Sequence, residues 1–322
     1  MTKIVALPDG FWVRPAIVGD LEAVLQVLIA QEMADFGKPL SERQSLWRSW
    51  HAKGFNLLTD TWVVGTSSGR IIGYACARGS GRVRLFANVW LLPEYTGRGI
   101  GGFLLHCAEM RVQEWVAEAP PGARATMGAS WISERNQKAQ RLLHQNGYEK
   151  VYSFAHMQLD LNELPSIPVP NDRIVIRPFR SHEDAQACYE ADEEIAQDER
   201  GHVPLTFEEW RRQKISDTIL MFLACDGNEV AGLVSGETMD DQGWIGHLGV
   251  RHSWRKQGLG MALLRHIQRE FYQRGLHKMT LNVDTLSSTG AFRLYERAGM
   301  HTLFQYHTYE KEVWAGKDLR IH

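Results

Sequence analysis

Long apolar runs are missing from this chain. No stretch approaches the roughly 18 consecutive apolar residues that a membrane-spanning helix needs, and the opening MTKIVALPDG has no apolar core of signal-peptide length. Paired cysteines are missing too: Cys76, Cys107, Cys188 and Cys225 stand alone, with no CxxC spacing. That argues against a metal site or a disulfide framework, and for reduced thiols in a cytoplasmic protein. Neither sign of charge dominates, since 36 Lys and Arg face 38 Asp and Glu for a net charge of −2. Near-neutrality gives no reason to expect nucleic acid or an anionic membrane as a partner. What is present is an ordinary globular composition, 44% hydrophobic and 23% charged, with 11 Trp read as core and interface filler. At 322 residues the chain has room for two domains of about 150 residues, each able to bury its own core.

The chain is organised around Trp244 to Tyr272, which reads as a strand, a glycine turn and an amphipathic helix. Leu248 and Val250 close an apolar run, and Arg255-Lys256-Gln257-Gly258-Leu259-Gly260 turns the chain. Leu263, Leu264, Ile267 and Phe271 follow as one apolar stripe at helical spacing. Glycines let backbone N–H groups converge at a helix N-terminus, which suits an anion such as a pyrophosphate. Arg255 and Lys256 add positive charge beside it. Two glycines at a fixed offset are weak evidence alone, because they recur by chance in a chain this long. The flanking strand and helix strengthen the reading, and so does recurrence: Gly99 and Gly101 align with Gly258 and Gly260 at a constant offset.

Taken in order, Phe11 to Pro15 reads as a strand, Asp20 to Met33 and Ser41 to Lys53 as helices, and Thr61 to Thr66, Ile71 to Ala77 and Val83 to Leu92 as strands. The first glycine loop opens a helix through Val112 that stops at Pro120-Pro121-Gly122. A strand from Ala125 to Ile132, a helix from Asn136 to Gln145 and a strand from Val151 to Leu159 complete the half. Residues 162–172, with Pro165, Pro168 and Pro170, read as a linker. The same order then begins again at Ile174 to Pro178, with helices at Glu183 to Ala196 and Thr206 to Lys214 and strands at Met221 to Cys225 and Glu229 to Glu237. Ala139 to Leu143 with Gly147 matches Ala291 to Tyr295 with Gly299. A repeat of about 155 residues is too long for a solenoid and marks a duplicated domain, giving a first domain over 1–161 and a second over 173–322.

Strand, glycine loop, helix, strand and the closing A-x-x-L-Y-x-x-x-G run, in that order, resemble the GNAT acetyltransferase superfamily over nearly all of the chain outside the linker. The tandem arrangement is most similar to mycothiol synthase-like two-domain proteins, in which the C-terminal half is catalytic. The resemblance implies an α/β (α+β) fold of two GNAT domains, each a mixed, mostly antiparallel twisted sheet flanked by helices. It implies acetyl-CoA as acyl donor, its pyrophosphate on Arg255, Lys256, Gln257, Gly258, Leu259 and Gly260, and its pantetheine arm along the strand ending in Leu248 and Val250. Ser287 stands where an Asn often meets that arm, and Trp244 where a basic Glu is expected. In the N-terminal half Thr96 replaces the loop Arg or Gln and Leu143 replaces the tyrosine, so this half is expected to be degenerate. Leu91, Arg98, Gly99 and Gly101 keep weaker donor binding there open.

Acetyl transfer to an amine needs a neutral nucleophile, donors for the tetrahedral oxyanion and a proton for the leaving thiolate. Tyr295, whose phenol holds its proton above the pKa of a thiol, is the expected acid. Glu237 is the chosen base, with Asp240 and Asp241 behind it after the same strand. His247 reads as a hydrogen-bonded core histidine, placed by alternation on the face opposite Trp244. Glu190, Asp192, Glu193, Glu194, Asp198 and Glu199 form an acidic run that either draws a cationic amine or is a solvated helix face. A small-molecule amine is the expected acceptor.

Gly97-x-Gly99-x-x-Gly102 matches the dinucleotide fingerprint in letters, but the next strand, Arg124 to Trp131, carries no acidic residue for a ribose and the second copy lacks the third glycine. No Lys-Ser or Lys-Thr follows either loop, which excludes a P-loop. Two rivals stay open: a non-catalytic acyl-CoA-binding protein, and an acetyltransferase acting on a protein N-terminus or lysine.

Overall fold

A short strand with an arginine at or next to its end opens each half, and the arginine is fastened by an aspartate just ahead of the next helix. In the computed structural model, which describes residues 6–80, 83–119, 121–168, 173–199, 202, 204–216, 218–239, 241–287 and 289–318, Arg14 Nη1 and Nη2 donate to Asp20 at 2.6 and 2.8 Å. Arg177 does the same to Asp184 at 2.6 and 2.7 Å. These bidentate pairs fix how the chain turns from strand to helix.

The first half runs β1 (Phe11–Arg14), α1 (Leu21–Phe36), α2 (Arg43–Trp50), α3 (Leu57–Asp60), β2 (Thr61–Thr66), β3 (Ile71–Ser80), β4 (Arg84–Leu91), α4 (Ile100–Val116), β5 (Ala125–Ser133), α5 (Gln137–Gln145) and β6 (Glu149–Asp160). The second runs β7 (Ile174–Pro178), α6 (Ala185–Ala196), α7 (Phe207–Lys214), β8 (Leu220–Asp226), β9 (Glu229–Met239), β10 (Gln242–Val250), α8 (Leu259–Gln273), β11 (Lys278–Asp284), α9 (Ala291–Arg297) and β12 (His301–Trp314). Local chemistry sets several ends. Gly37, left-handed at φ 77°, terminates α1. Asn136 accepts from the Ala139 amide to start α5, and Thr206 with Glu209 forms a capping box on α7. Residues 162–168 carry no helix or strand; the rest of the expected linker, with Pro170, lies outside the described residues, as do Pro120 and Asp240.

The compact units are not cut where the sequence reading cuts them. One consists of residues up to Ser153 together with Tyr306–Asp318, the other of Phe154–Gln305. The last strand of each half is the reason. Phe154 to Asp160 of β6 pair antiparallel with β11, whereas Tyr306 to Trp314 of β12 pair antiparallel with β5. The first unit's sheet is therefore ordered β1-β2-β3-β4-β5-β12, and the second unit's β6-β11-β10-β9-β8-β7. In each unit one pair alone is parallel, β4 with β5 and β10 with β11, and the remaining described pairings are antiparallel.

Each sheet carries helices on both faces. In the second unit α8 buries Leu263, Leu264, Ile267 and Phe271 completely against Val234, Ile245, Met279 and Leu281, each side chain contributing about 1.5–3 kcal/mol of transfer free energy. On the opposite face Cys188, Ile195 and Trp210 of α6 and α7 cover Leu223 and Leu233. Gly249 permits the close approach of α6, since a Cβ there would lie 2.2 Å from Ile195 Cγ2. Among the described residues no helix is long and apolar enough to cross a membrane.

Candidate active site

The parallel pair at the centre of each sheet is short. β10 pairs with β11 only over Gly243–Ile245 and Met279–Leu281, and β4 with β5 only over Arg84–Phe86 and Thr126–Gly128. Beyond those residues the strands part, leaving a cleft whose edge on β10 ends in Leu248 and Val250. The side chains of Leu248 and Val250 pack into the α8 core, so what these residues can offer a ligand in the cleft is backbone.

The loop that follows has one backbone shape in both units. Lys256 and Gly258 have φ of 60° and 83°, and Gly97 and Gly99 both have 84°. Gly258 and Gly99 are the N-caps of α8 and α4, so the turn presents free helix N-terminal amides to an anion. A Cβ at Gly258 would meet nothing within 4 Å, which shows open space at the mouth of that loop. Gly260 serves packing instead: a Cβ there would come within 3.2 Å of Leu294 on α9, as one at Gly101 would come within 3.5 Å of Leu142 on α5. Leu259 is buried, and Lys256 and Gln257 are exposed, the latter donating to Ser253 O at 3.3 Å. Arg255 Nε donates to Val250 O at 2.8 Å while its guanidinium pairs with Asp198.

The first unit is closed where the second is open. Leu91 donates its amide to Gln31 Oε1 at 2.8 Å, and the Asn88 side chain accepts from the Ser130 amide at 3.1 Å across the parting strands. No side chain takes the Val250 amide among the described residues. Arg98 is exposed beside the Tyr95 ring. Lys138 Nζ donates to Thr96 at 2.8 Å, so a lysine from α5 restores a positive charge near a loop that lacks the arginine.

Tyr295 lies on α9, 6% exposed within the α8 core. Burial, and secondarily the negative charge of Glu199, push its phenol up to about 12, so it stays protonated at any working pH. Its hydroxyl has no hydrogen-bond partner among the described residues. Ser287 is held in the turn after β11, its hydroxyl 2.9 Å from that of Thr289, and is thus tied up locally. Asp241 stands exposed at the β9–β10 turn.

Alternation misplaces His247. A bulge in β10 between Ile245 and His247 leaves Gly246 as the extra residue, so that Trp244 faces Glu237 and His247 faces Ser235 in register. Cross-strand partners share a face, and Leu233, Ser235 and Glu237 alternate onto the α6 side of β9. Trp244, Glu237 and His247 therefore stand together there, with Trp244 stacked 6.2 Å from His156, which is 2.9 Å from Asn282 Oδ1. The bulge depends on the pairing of β10 with its neighbour, and nothing in β10 alone announces it.

The acidic run is neither a free field nor a solvated face. Asp192 Oδ1 lies 3.0 Å from His247 Nε2, and Glu199 Oε1 3.4 Å from His247 Nδ1. The first approach is charge pairing off the line of a hydrogen bond, since neither atom has a hydrogen-bond partner among the described residues. Asp192 Oδ2 accepts from Trp210 Nε1 at 2.6 Å. Glu194 takes Arg251 at 2.6 Å, and Asp198 takes His252 at 3.5 Å besides Arg255. Burial would raise the Asp192 carboxyl, but the His247 pairing outweighs it and holds it down at about 2. Burial would likewise discharge His247, yet Asp192 and then Glu199 outweigh it and raise its pKa above the ordinary value. These partners lie some 50 residues apart in the chain, beyond the reach of a local pattern.

Two family models match the chain, one described as the acetyltransferase (GNAT) family over residues 181–300 and one as an acetyltransferase (GNAT) domain over residues 59–150. A GCN5-related N-acetyltransferase from Sphaerobacter thermophilus, seen in a crystal structure, superposes with a TM-score of 0.87 at 31% identity, covering 97% of this chain and 99% of that one. A tandem GNAT protein from the clavulanic acid biosynthesis pathway shares the fold, with a TM-score of 0.66 at 15% identity over 95% of this chain and 100% of its own. Curated relatives include the mycothiol acetyltransferases of Nocardiopsis dassonvillei and Catenulispora acidiphila, each 26% identical, covering 88% and 89% of this chain and 92% and 94% of theirs. With a family model on each half and a relative of 31% identity matched along almost its whole length, the chain belongs to the GNAT acetyltransferase family and is an N-acetyltransferase built of two such domains.

Proposed function

We propose that the second unit moves the acetyl group of acetyl-CoA to a primary amine on a small molecule, and that the first unit is not the seat of turnover. The observation that carries this is the difference between the two clefts. Among the described residues only the second combines a glycine loop that opens on an arginine, an uncapped strand edge at Val250 and a tyrosine hydroxyl without a protein partner. The pyrophosphate would rest on the amides between Arg255 and Leu259 with Arg255 beside it, and the pantetheine arm would follow the backbone of Leu248 and Val250. The neutral amine attacks the thioester carbonyl, the C–S bond breaks as the tetrahedral adduct collapses, and Tyr295 protonates the thiolate. Glu237 stands on the acceptor side with Trp244 and is proposed to meet the amine or the group that carries it.

Release of free thiol from acetyl-CoA in the presence of a panel of primary amines tests the reading, with mycothiol-type amines included because of the names of the two curated relatives. Wild type should turn over at least one amine. Gly258→Asp, which places a carboxylate in the open mouth of the loop, should abolish turnover and acetyl-CoA binding at that site, whereas Gly99→Asp should leave turnover intact. Full activity of folded Gly258→Asp would overturn the assignment.

A further inference from the structure

Resting on the acetyl-transfer reading, we propose that His247 accepts the proton of the incoming amine, with Asp192 as the residue that positions it. The place is the first argument. His247 follows the bulge at which β10 leaves β11, on the same face as Trp244 and Glu237, so its ring stands at the mouth of the donor cleft. Its surroundings are the second. One carboxylate, Asp192, is buried and locked by Trp210, while the other, Glu199, is half exposed. Burying the Asp192–His247 charge pair costs several kcal/mol, and apolar packing would hold α6 to the sheet without that cost. An imidazole held between a fixed anion and an exposed one is instead suited to exchanging a proton at Nδ1, the nitrogen on the exposed side, near neutral pH.

The first unit differs at both positions. The residue at the corresponding point of β4 is Asn88, whose side chain is spent on the Ser130 amide, and the residue corresponding to Tyr295 is Leu143. Proton acceptor and proton donor are replaced together in the unit with the closed cleft. In the second unit they share a neighbour, since Glu199 both faces His247 and raises Tyr295. The charged and titratable groups acting on His247 are Asp192 of α6, Glu199 just after it, Lys214 of α7, whose charge opposes theirs, and Tyr295 of α9 through Glu199.

Nδ1 of neutral His247 takes one proton from the ammonium, and the freed lone pair forms the C–N bond at the thioester carbonyl. Collapse breaks the C–S bond, and the thiolate takes the proton of Tyr295. The second proton on nitrogen passes to the tyrosinate and regenerates Tyr295, and the imidazolium releases its proton to solvent. The net products are the amide, the free thiol and one proton.

The test is the pH dependence of kcat/KM with the best amine of the panel above, together with a nuclear magnetic resonance titration of the histidine rings. Wild type should show a limb rising with pH, its midpoint above 6.5 and matching the titration of His247. Asp192→Asn should move both limb and titration to lower pH, and His247→Gln should lower kcat by about 10²-fold or more and erase the limb. Wild-type turnover with kcat and limb unchanged in folded His247→Gln overturns this assignment alone. A limb unmoved in Asp192→Asn while the ring titration shifts overturns it as well, even if the glutamine variant does not fold. Absence of turnover in wild type overturns the acetyltransferase reading and this assignment with it.

Discussion

Lys256 holds the left-handed backbone conformation that Gly97 holds at the corresponding point of the other loop, at φ 60° against 84°. A lysine in that region costs roughly 1–2 kcal/mol that glycine does not. The second unit carries a strained lysine where the first has glycine, and so places a cation at the left-handed position of the loop itself.

Lys256→Gly should therefore stabilise the protein by about 1 kcal/mol, seen as a higher Tm, while weakening acetyl-CoA binding severalfold at low salt. Thermal denaturation and calorimetry check the two effects separately. A lower Tm would show that the lysine stem contributes packing that outweighs the strain.

Asp198 holds the guanidinium of Arg255, which the proposed function assigns to the donor. The pair is part exposed, with side chains 30% and 26% accessible, so it is worth at most about 1 kcal/mol. Asp198→Asn should tighten acetyl-CoA binding by up to about fivefold and leave the loop backbone unchanged. Weaker binding in this variant would mean that Asp198 serves to aim the guanidinium instead.

Tyr295→Phe removes a hydroxyl with no partner among the described residues and keeps a ring that is almost wholly buried. Turnover should fall by about 10²–10⁴, with acetyl-CoA affinity nearly unchanged and stability altered by less than about 1 kcal/mol. Full kcat under conditions where chemistry limits the rate would remove the phenol from the mechanism.

The Asp192–His247 pairing gives stability its own pH window. Asp192 is held at about 2 against an ordinary 3.8, so its contribution is present above about 4 and fades as pH falls through 2. His247 is raised above 6.5, so its contribution is present below 6.5 and is lost as pH rises through the elevated value. Melting temperature against pH should show wild type ahead of Asp192→Asn most clearly between about pH 4 and 6.5, by an amount reflecting the roughly 3–5 kcal/mol cost of breaking a buried pair. Parallel curves for the two proteins would show that the pairing contributes nothing to folding.

Much of this architecture is legible in the sequence, because its signals are local. The stripe Leu263, Leu264, Ile267 and Phe271 specifies α8 and its buried face, Thr206 with Glu209 starts α7, and the repeated glycines mark both loops. Non-local choices are not legible. The bulge at Gly246 is a matter of register between β10 and β9, and it moves His247 to the face shared with Trp244. The partners of the acidic run are decided by where α6 lies over β10, and a count of its carboxylates misses the imidazole between Asp192 and Glu199.

The crossed membership of the last strands also has a consequence during synthesis. β5 gains its outer neighbour only from Tyr306–Trp314, so while the polypeptide is emerging from the ribosome the first unit waits, one strand short, for nearly the whole chain to appear. An open strand edge is a template for pairing with other chains. Nascent molecules stalled after residue 300 should thus be the sticky ones, because β5 is then still without its outer neighbour.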